Sequence, residues 1–371
     1  MTINEMQNFE DIFSYEHLYQ SYLLCRKGIT WKEGVQKFQS QTGVNIYKIW
    51  EQLNNGKWKH KGYYQFHKLE RGKNRLIQSE YFTDRIVQRC FCEYSLVPLL
   101  TKSLIYDNSA SQKGKGVDFA IKRCKKHLDD HIRKYGNNGY ILQFDFHHYF
   151  ASIPHDKVFQ MLRKIYTDER VLKIVFSMID SFDEGLGLGS QVSQTLALYY
   201  PNRLDHKLKE YYHIKGYGRH MDDGYAISNS KEELLEILDC LKKWCDEFGI
   251  TLNSNKTHIR RLSKGFTFLK RKFIILSNKI IITINKKNLV RTKRKLKYFV
   301  KAGWTYHKMI TYCKGYWSNM TCQKCKCFRQ AESLRKYIVN NLKPLKVERK
   351  DEELLARIIN EINQLATSNT A

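Results

Sequence analysis

The sequence predicts an α+β fold in which an antiparallel sheet carries packed helices, and three observations predict it. The 371 residues are 42% hydrophobic, enough for a true core in two or three compact subdomains. Short strand-like runs are joined by tight turn signals at Arg71-Gly72-Lys73-Asn74, at Asp222-Asp223-Gly224 and at Ser277-Asn278, the pattern of hairpins. Between those runs lie long stretches whose apolar residues recur at helical spacing.

Taken in order, residues 18–26 and 32–38 read as helices and Asn54-Asn55-Gly56 as a turn. Residues 62–80 read as a two-stranded ribbon tipped by Lys73 and Arg75. Two cations pointing the same way from a tight turn suit a triphosphate, although charge at a hairpin tip is also ordinary solvation. Residues 83–100 carry Ile86, Val87, Cys90, Phe91, Tyr94 and Val97 on one helical face. Gln112-Lys113-Gly114-Lys115-Gly116 is a loop whose amides could meet a phosphate, a weak signal alone. Gly185 to Gln194 forms a flexible polar loop leading into a helix over 195–212, and residues 231–248 form a clear amphipathic helix. A turn at 252–257 leads to a strand at 259–262, and residues 266–284 read as two strands.

Two short segments carry the chemistry. Ile141-Leu142-Gln143-Phe144-Asp145-Phe146 reads as a buried strand with one carboxylate, which is costly to bury unpaired between two phenylalanines. Tyr217 to Ile227 reads as a hairpin with Asp222 and Asp223 at its tip. Adjacent like charges repel, so a cation between them is the easiest way to tolerate the pair. An Asp-Asp-Gly turn is ordinary loop chemistry by itself. The order strand with Asp, helices, hairpin with Asp-Asp suits three carboxylates around two Mg²⁺ ions, one activating a hydroxyl and the other steadying a leaving pyrophosphate.

Lys and Arg number 64 against 37 acids, a formal charge of +27, and aromatic residues make up 13%. Such a surplus points to a polyanionic partner and supplies rings for stacking on bases. Between Lys286 and Lys350 the only acids are Glu332 and Glu348, and Lys293, Arg294, Lys295 and Lys297 open a basic helix of the kind that follows a nucleic-acid backbone. No run of about 18 apolar residues is present and the start does not read as a signal peptide, so the expectation is a cytoplasmic protein without a membrane span. The ten cysteines then read as reduced thiols. Cys313, Cys322, Cys325 and Cys327 cluster, but Cys-x-x-Cys-x-Cys is irregular for structural zinc. Asp351-Glu352-Glu353 reads as the N-terminal turn of a short helix rather than a nuclease site.

From about Tyr63 to Leu269 the motifs, in order, resemble a reverse transcriptase. Phe144-Asp145 with Tyr149-Phe150-Ala151-Ser152-Ile153-Pro154 is similar to the first palm motif. Gly189-Ser190-Gln191-Val192-Ser193-Gln194 is similar to the glycine loop that contacts the incoming nucleotide. His220-Met221-Asp222-Asp223 resembles the aromatic-x-Asp-Asp hairpin, and Asn255-Lys256-Thr257 and Gly265-Phe266-Thr267-Phe268-Leu269 resemble the later palm motifs. The resemblance implies a right-hand polymerase: an N-terminal helical extension over 1–60, fingers over 61–140, a palm over 141–285 and a basic helical thumb over 286–371. It implies that Asp145, Asp222, Asp223 and the backbone carbonyl of Phe146 hold two Mg²⁺ ions, with Mn²⁺ as a substitute. Lys73, Arg75, Leu188, Gly189, Gln194 and Lys256 would meet the nucleotide, and Phe150 would be the steric gate that excludes a 2′-hydroxyl. The implied partners are template RNA, primer or cDNA, dNTPs, and an accessory protein or cognate non-coding RNA.

Within that family, Leu188 before the loop glycine, Ser193-Gln194 after it and Asn202-Arg203-Leu204-Asp205-His206 resemble the enzymes of diversity-generating retroelements. These copy a template RNA with frequent errors opposite adenine, and many work with a small basic accessory protein. His220 stands where Tyr is usual and Gly224 where an aromatic is usual, which leaves open a reverse transcriptase of an anti-phage defence system. A non-catalytic RNA-binding protein on a polymerase scaffold and an RNA-dependent RNA polymerase are the readings from other classes. Asp145, Asp222 and Asp223 together argue against the first, and Phe150 against the second.

Overall fold

The computed structural model describes residues 2–70, 73–276, 279–284 and 286–305, and parts of 309–313 and 333–340. The chain divides into two units, one of residues 1–120 with 142–259 and one of residues 121–141 with 260–371.

The first unit opens with four helices, α1 (Phe9–Ile12), α2 (Tyr15–Cys25), α3 (Glu33–Gln39) and α4 (Thr42–Asn54). Ser14 caps α2 by accepting the amide of His17 at 3.3 Å. Tyr22 and Phe38, tilted at 5.3 Å, join α2 to α3. The expected ribbon is present as β1 (Tyr63–Glu70) and β2 (Lys73–Glu80), antiparallel with Glu70 opposite Lys73. The helix expected over 83–100 divides into α5 (Phe82–Phe91) and α6 (Val97–Lys102), joined by a π-helical turn at Cys92–Leu96. That turn adds a residue without breaking the apolar face, so Ile86, Val87, Cys90, Phe91, Cys92 and Leu96 all stay buried.

Helix α7 (Val117–Tyr135) leads to β3 (Tyr140–Asp145). After β3 come α8 (Tyr149–Ser152), α9 (His155–Arg163) and α10 (Glu169–Ile179). The helix expected over 195–212 begins earlier, as α11 (Gln191–Tyr199), because Ser190 accepts the amide of Ser193 and caps it there. It stops before Pro201, which has no N–H to continue the ladder, and resumes as α12 (Asn202–His206) and a π-helical turn at Lys207–Tyr211.

Strands β4 (Gly218–His220) and β5 (Asp223–Ser228) form the expected hairpin. Helix α13 (Lys231–Phe248) matches its expectation: Ser230 accepts the amide of Glu233 at its start, and Gly249 at φ +70° ends it. Strand β6 (His258–Arg261) completes a sheet of order β4-β5-β3-β6. This order places the end of β3 beside the hairpin that carries Asp222 and Asp223.

In the second unit, residues 266–284 form three strands rather than the expected two: β7 (Phe266–Phe268), β8 (Arg271–Leu276) and β9 (Lys279–Ile284). Leu269 and Lys270 both take positive φ and make the extra turn. Helix α14 (Lys286–Lys301) follows, and Leu296, Phe299, Met309, Cys313, Leu334 and Ile338 are buried in this unit. Among the described residues, seven cysteines are free thiols and no helix is long and apolar enough to cross a membrane. Cys322, Cys325, Cys327 and Asp351-Glu352-Glu353 lie outside the described residues.

Candidate active site

The β4–β5 hairpin turns through two residues, Met221 and Asp222, with His220 paired to Asp223. Met221 has φ +58°. A positive φ at the first central residue is where glycine is favoured, so a methionine there is strained unless its surroundings hold it. The buried guanidinium of Arg219 supplies the hold, since its Nη1 donates to the Met221 carbonyl at 2.8 Å. The other arms of Arg219 donate to Asp205 and to the Leu198 carbonyl, and Tyr217 donates its hydroxyl to Asp205 at 2.6 Å. On the outer side, Ser109 Oγ and His220 Nδ1 share a hydrogen bond of 3.0 Å, and the Ser109 amide donates to the Arg219 carbonyl. Burial, then the charge of Arg219, holds the His220 pKa below its usual value, so this imidazole is neutral at physiological pH.

Two residues that depart from common pattern thus have structural partners. His220 is tied to Ser109. Gly224 is buried against Phe144, whose ring carbon Cζ would lie 2.1 Å from any Cβ at that position. A side chain at 224 would displace the ring of the strand that carries Asp145.

Asp145 ends β3 at 3% exposure. Its backbone carbonyl accepts the Asn253 amide at 2.8 Å, and its carboxylate accepts Asn253 Nδ2 at 3.0 Å and Lys256 Nζ at 2.6 Å. Phe146 continues the chain in a bridge to Leu252. Strand end, hairpin and the 253–256 turn therefore converge. The electrostatics show how closely: Asp222 is raised by burial and then by the Asp145 charge, and Asp223 by burial and then by the charges of Asp222 and Asp145. Burial opposes the charge on Lys256, but its bond to Asp145 and the charges of Asp223 and Asp222 outweigh that and raise its pKa. As the side chains stand, no group of three metal-ligating residues among those described is closed around an ion position. The donor set nevertheless suits a hard divalent cation, offering only carboxylate and carbonyl oxygen, and the mutual repulsion of the three acids is relieved by positive charge. Lys256 supplies that charge here, through its 2.6 Å bond to Asp145, and a cation held by Asp145 would compete with its ammonium group.

Phe150, on α8, is half-buried, and its carbonyl accepts the Leu186 amide at 2.7 Å. Leu188 accepts the backbone amide of Gln78 at 3.1 Å. Gly189, at φ +120°, sits where a Cβ would be 2.6 Å from the Gln78 carbonyl, so only glycine fits beside the ribbon. Gln194 is exposed and donates to Ser111 Oγ at 2.7 Å. Lys73 and Arg75 occupy β2, but their side chains lie outside the described residues. Lys115 is turned back into its own loop, donating to the carbonyls of Tyr106 and Asn108.

On α14 the four expected cations do not share one face. Lys293 is half-buried, donates to Ser333 Oγ at 2.9 Å and lies over the ring of Tyr337. Lys295 lies over Phe299 and Tyr312 while remaining exposed. Arg294 and Lys297 are exposed. Arg294 belongs to a stripe that the sequence pattern alone did not single out: Lys287, Arg291, Arg294, Tyr298 and Lys301 are all exposed and spaced four, three, four and three apart. Arg219 and Gln88 were also missed as site residues, each reading in sequence as one more polar residue on a strand or helix, and Asp205 was quoted only within the subgroup motif at 202–206, with no role at the hairpin.

A β3 carboxylate beside an Asp-Asp hairpin is the arrangement expected of a polymerase palm. The model of the reverse transcriptase (RNA-dependent DNA polymerase) family matches residues 58–298, and the chain belongs to that family. Family members are nucleotidyltransferases that generally use divalent metal ions. No curated protein matches the sequence. Among solved structures, apo telomerase from Candida tropicalis superposes with a TM-score of 0.50 at 12% identity, over 85% of this chain and 67% of that one. A form of that protein truncated from its C-terminal domain gives 0.47 at 12% identity, over 65% of this chain and 60% of that one. Telomerase from Candida albicans, in complex with a fragment of telomeric RNA, gives 0.48 at 11% identity, over 88% and 68%. The fold class is the one the sequence predicts, an α+β right-hand polymerase.

Proposed function

We propose that the protein adds dNTPs to a primer 3′-end on an RNA template, with Asp145, Asp222, Asp223 and the Phe146 carbonyl holding two Mg²⁺ ions. The observation that carries this reading is the convergence of the three carboxylates at the end of β3 and the tip of the neighbouring hairpin, where the charge of Asp145 raises Asp222 and the charges of Asp222 and Asp145 raise Asp223. Bound ions would supply Lewis acidity for the primer hydroxyl and charge for the leaving pyrophosphate. The chain's own residues do the rest. Lys256, once released from Asp145 by a bound ion, would serve the leaving pyrophosphate as a cation and proton donor. Lys73 and Arg75 on the ribbon hold the triphosphate. Phe150 lies under the sugar and excludes a 2′-hydroxyl by clash, which discriminates more strongly than one lost contact. Gly189 lets the loop backbone approach the nucleotide, with Leu188 and Gln194 on either side. The template–primer duplex follows the cationic stripe of α14, in fingers-palm-thumb order along the chain.

The enzyme is read as error-prone and as part of a diversity-generating retroelement, working with a cognate RNA or a small accessory protein. Support comes from Leu188: an apolar side chain beside the nucleotide removes a polar check on base-pair geometry. The departures at His220 and Gly224 leave room for a second reading, a defence enzyme. Sequencing cDNA made by the purified protein from a defined RNA separates them, since clustering of errors at template adenines supports the retroelement and an even error spectrum contradicts it.

A further inference from the structure

Gln88 lies on α5 and is 3% exposed. Each polar atom of its amide is engaged. Nε2 donates to Glu80 Oε1, at the base of the ribbon, and to Ser190 Oγ at 3.0 Å. Oε1 accepts the backbone amide of Gln191 at 2.8 Å. That amide belongs to the first residue of α11, one of the donors a helix start leaves without an intrahelical partner. Ser190, held by Gln88, in turn accepts the Ser193 amide and caps the same helix. The next residue on α5, Arg89, reaches Gln191 Oε1 at 3.3 Å. One buried side chain thus fastens together the ribbon base, α5 and the start of α11. The glycine loop hangs between a separate anchor, the Gln78–Leu188 backbone bond, on one side and Ser190, held by Gln88, on the other.

We propose that Gln88 is a positioning residue for the incoming nucleotide: it sets the height of the Leu188-Gly189 segment relative to the ribbon, and thereby governs dNTP affinity and selectivity without touching substrate. The inference rests on the glycine loop being the nucleotide-contacting element. Its physical basis is that a buried amide with three partners has one orientation, since rotating it would leave two donors and an acceptor unsatisfied. Close approach at Gly189 leaves the loop no slack, so a shift of Ser190 is passed to the backbone beside the nucleotide.

Glu80 and Gln88 offer an exchange test. Gln88→Glu places two carboxyl groups in contact and removes both donors. Glu80→Gln combined with Gln88→Glu restores one donor–acceptor pair with its direction reversed, and leaves an acceptor for the Gln191 amide. The measurement is single-nucleotide incorporation by the full chain on a primer–RNA template, giving KM for the dNTP, kcat and the ratio of correct to incorrect incorporation. Gln88→Glu is expected to raise dNTP KM roughly tenfold with kcat within about twofold, and the double variant to recover most of that loss. A general loss of fold would lower kcat and template binding together. Should Gln88→Glu not fold, Gln88→Met, which removes the hydrogen bonds and keeps the shape, is read in the same way.

Gln194→Ala serves as the companion variant because it tests the loop directly. If Gln194→Ala raises dNTP KM while the Gln88 variants leave KM and selectivity unchanged, the positioning role is wrong and the loop assignment stands. If none of them moves dNTP KM, the loop is not the nucleotide element and the proposal falls with it. Raised KM in the Gln88 variants with recovery in the exchange supports it.

Discussion

Arg219 and Asp205 form an ion pair of 2.6 Å in which both side chains are fully buried. The pair ties β4 to α12, and through the Met221 carbonyl it reaches the tip of the Asp-Asp hairpin. Burying two charges is expensive, and replacing such a pair by apolar groups is often harmless to stability. Its value here is geometric, because the positive φ of Met221 places Asp222 and Asp223, and the guanidinium fixes that carbonyl.

Arg219→Lys keeps the charge and loses the fork that spans Asp205 and Met221. Extension by this variant is expected to fall at least about tenfold in kcat, with primer–template binding retained. Arg219→Ala strands a buried carboxylate and is expected to lose about 3–5 kcal/mol of stability. Thermal melting and single-turnover extension check both; wild-type kcat in a folded Arg219→Lys would remove the strut from the account.

Stability should carry the signature of Glu80. Burial pushes its carboxyl up to about 8 from an ordinary value of 4.5. The folded state therefore binds a proton that the unfolded chain releases between these values. That contribution is fully present below pH 4.5 and is lost as pH rises through about 8. His60, 4.0 Å away, is held down to about 4 by burial and stays neutral across this window. Glu80→Gln should flatten the fall in unfolding free energy from pH 5 to 8.5, by an amount on the order of a few kcal/mol at the alkaline end. Equal slopes for wild type and variant would contradict the assignment.

Gly224 is expected to tolerate no side chain. Gly224→Ala sets a methyl group against the Phe144 ring and should destabilise by about 1–3 kcal/mol while moving Asp145 relative to Asp223. Phe144→Leu in the same chain opens the space and should restore part of the melting temperature. Failure of that rescue would locate the strain elsewhere.

The stripe on α14 gives a separable outcome for nucleic-acid binding. Arg291→Glu with Arg294→Glu should weaken primer–template binding and reduce its salt dependence. Lys293→Met, at a position already satisfied by Ser333 and Tyr337, should leave the salt slope unchanged. A slope equally sensitive to both would mean that the duplex does not lie along the stripe.

The parts legible in sequence were those encoded locally. Helix α13 begins at Ser230 and ends at Gly249 because cap and stop signals sit at its own ends. The hairpin and the ribbon were readable for the same reason. The break at Pro201 was legible in principle, since proline removes a ladder donor, but the apolar spacing continues across it. What sequence could not show depends on interactions between distant segments. Asp205 and Arg219 look solvated until the fold buries them together, and Gln88 acquires its role only when α5 meets residues 190 and 191, about a hundred positions along the chain. Gly224 looked like a departure because its reason, the ring of Phe144, lies on another strand.

Everything proposed for the chemistry depends on Asp145, Asp222 and Asp223 acting as one metal-holding site for nucleotidyl transfer. The decisive measurement is dNTP incorporation by Asp222→Asn on a primer–RNA template with Mg²⁺, alongside binding of the same template. The expected result is loss of extension, about a thousandfold or more, with binding retained. Extension by the purified variant at a rate near wild type would contradict the shared site.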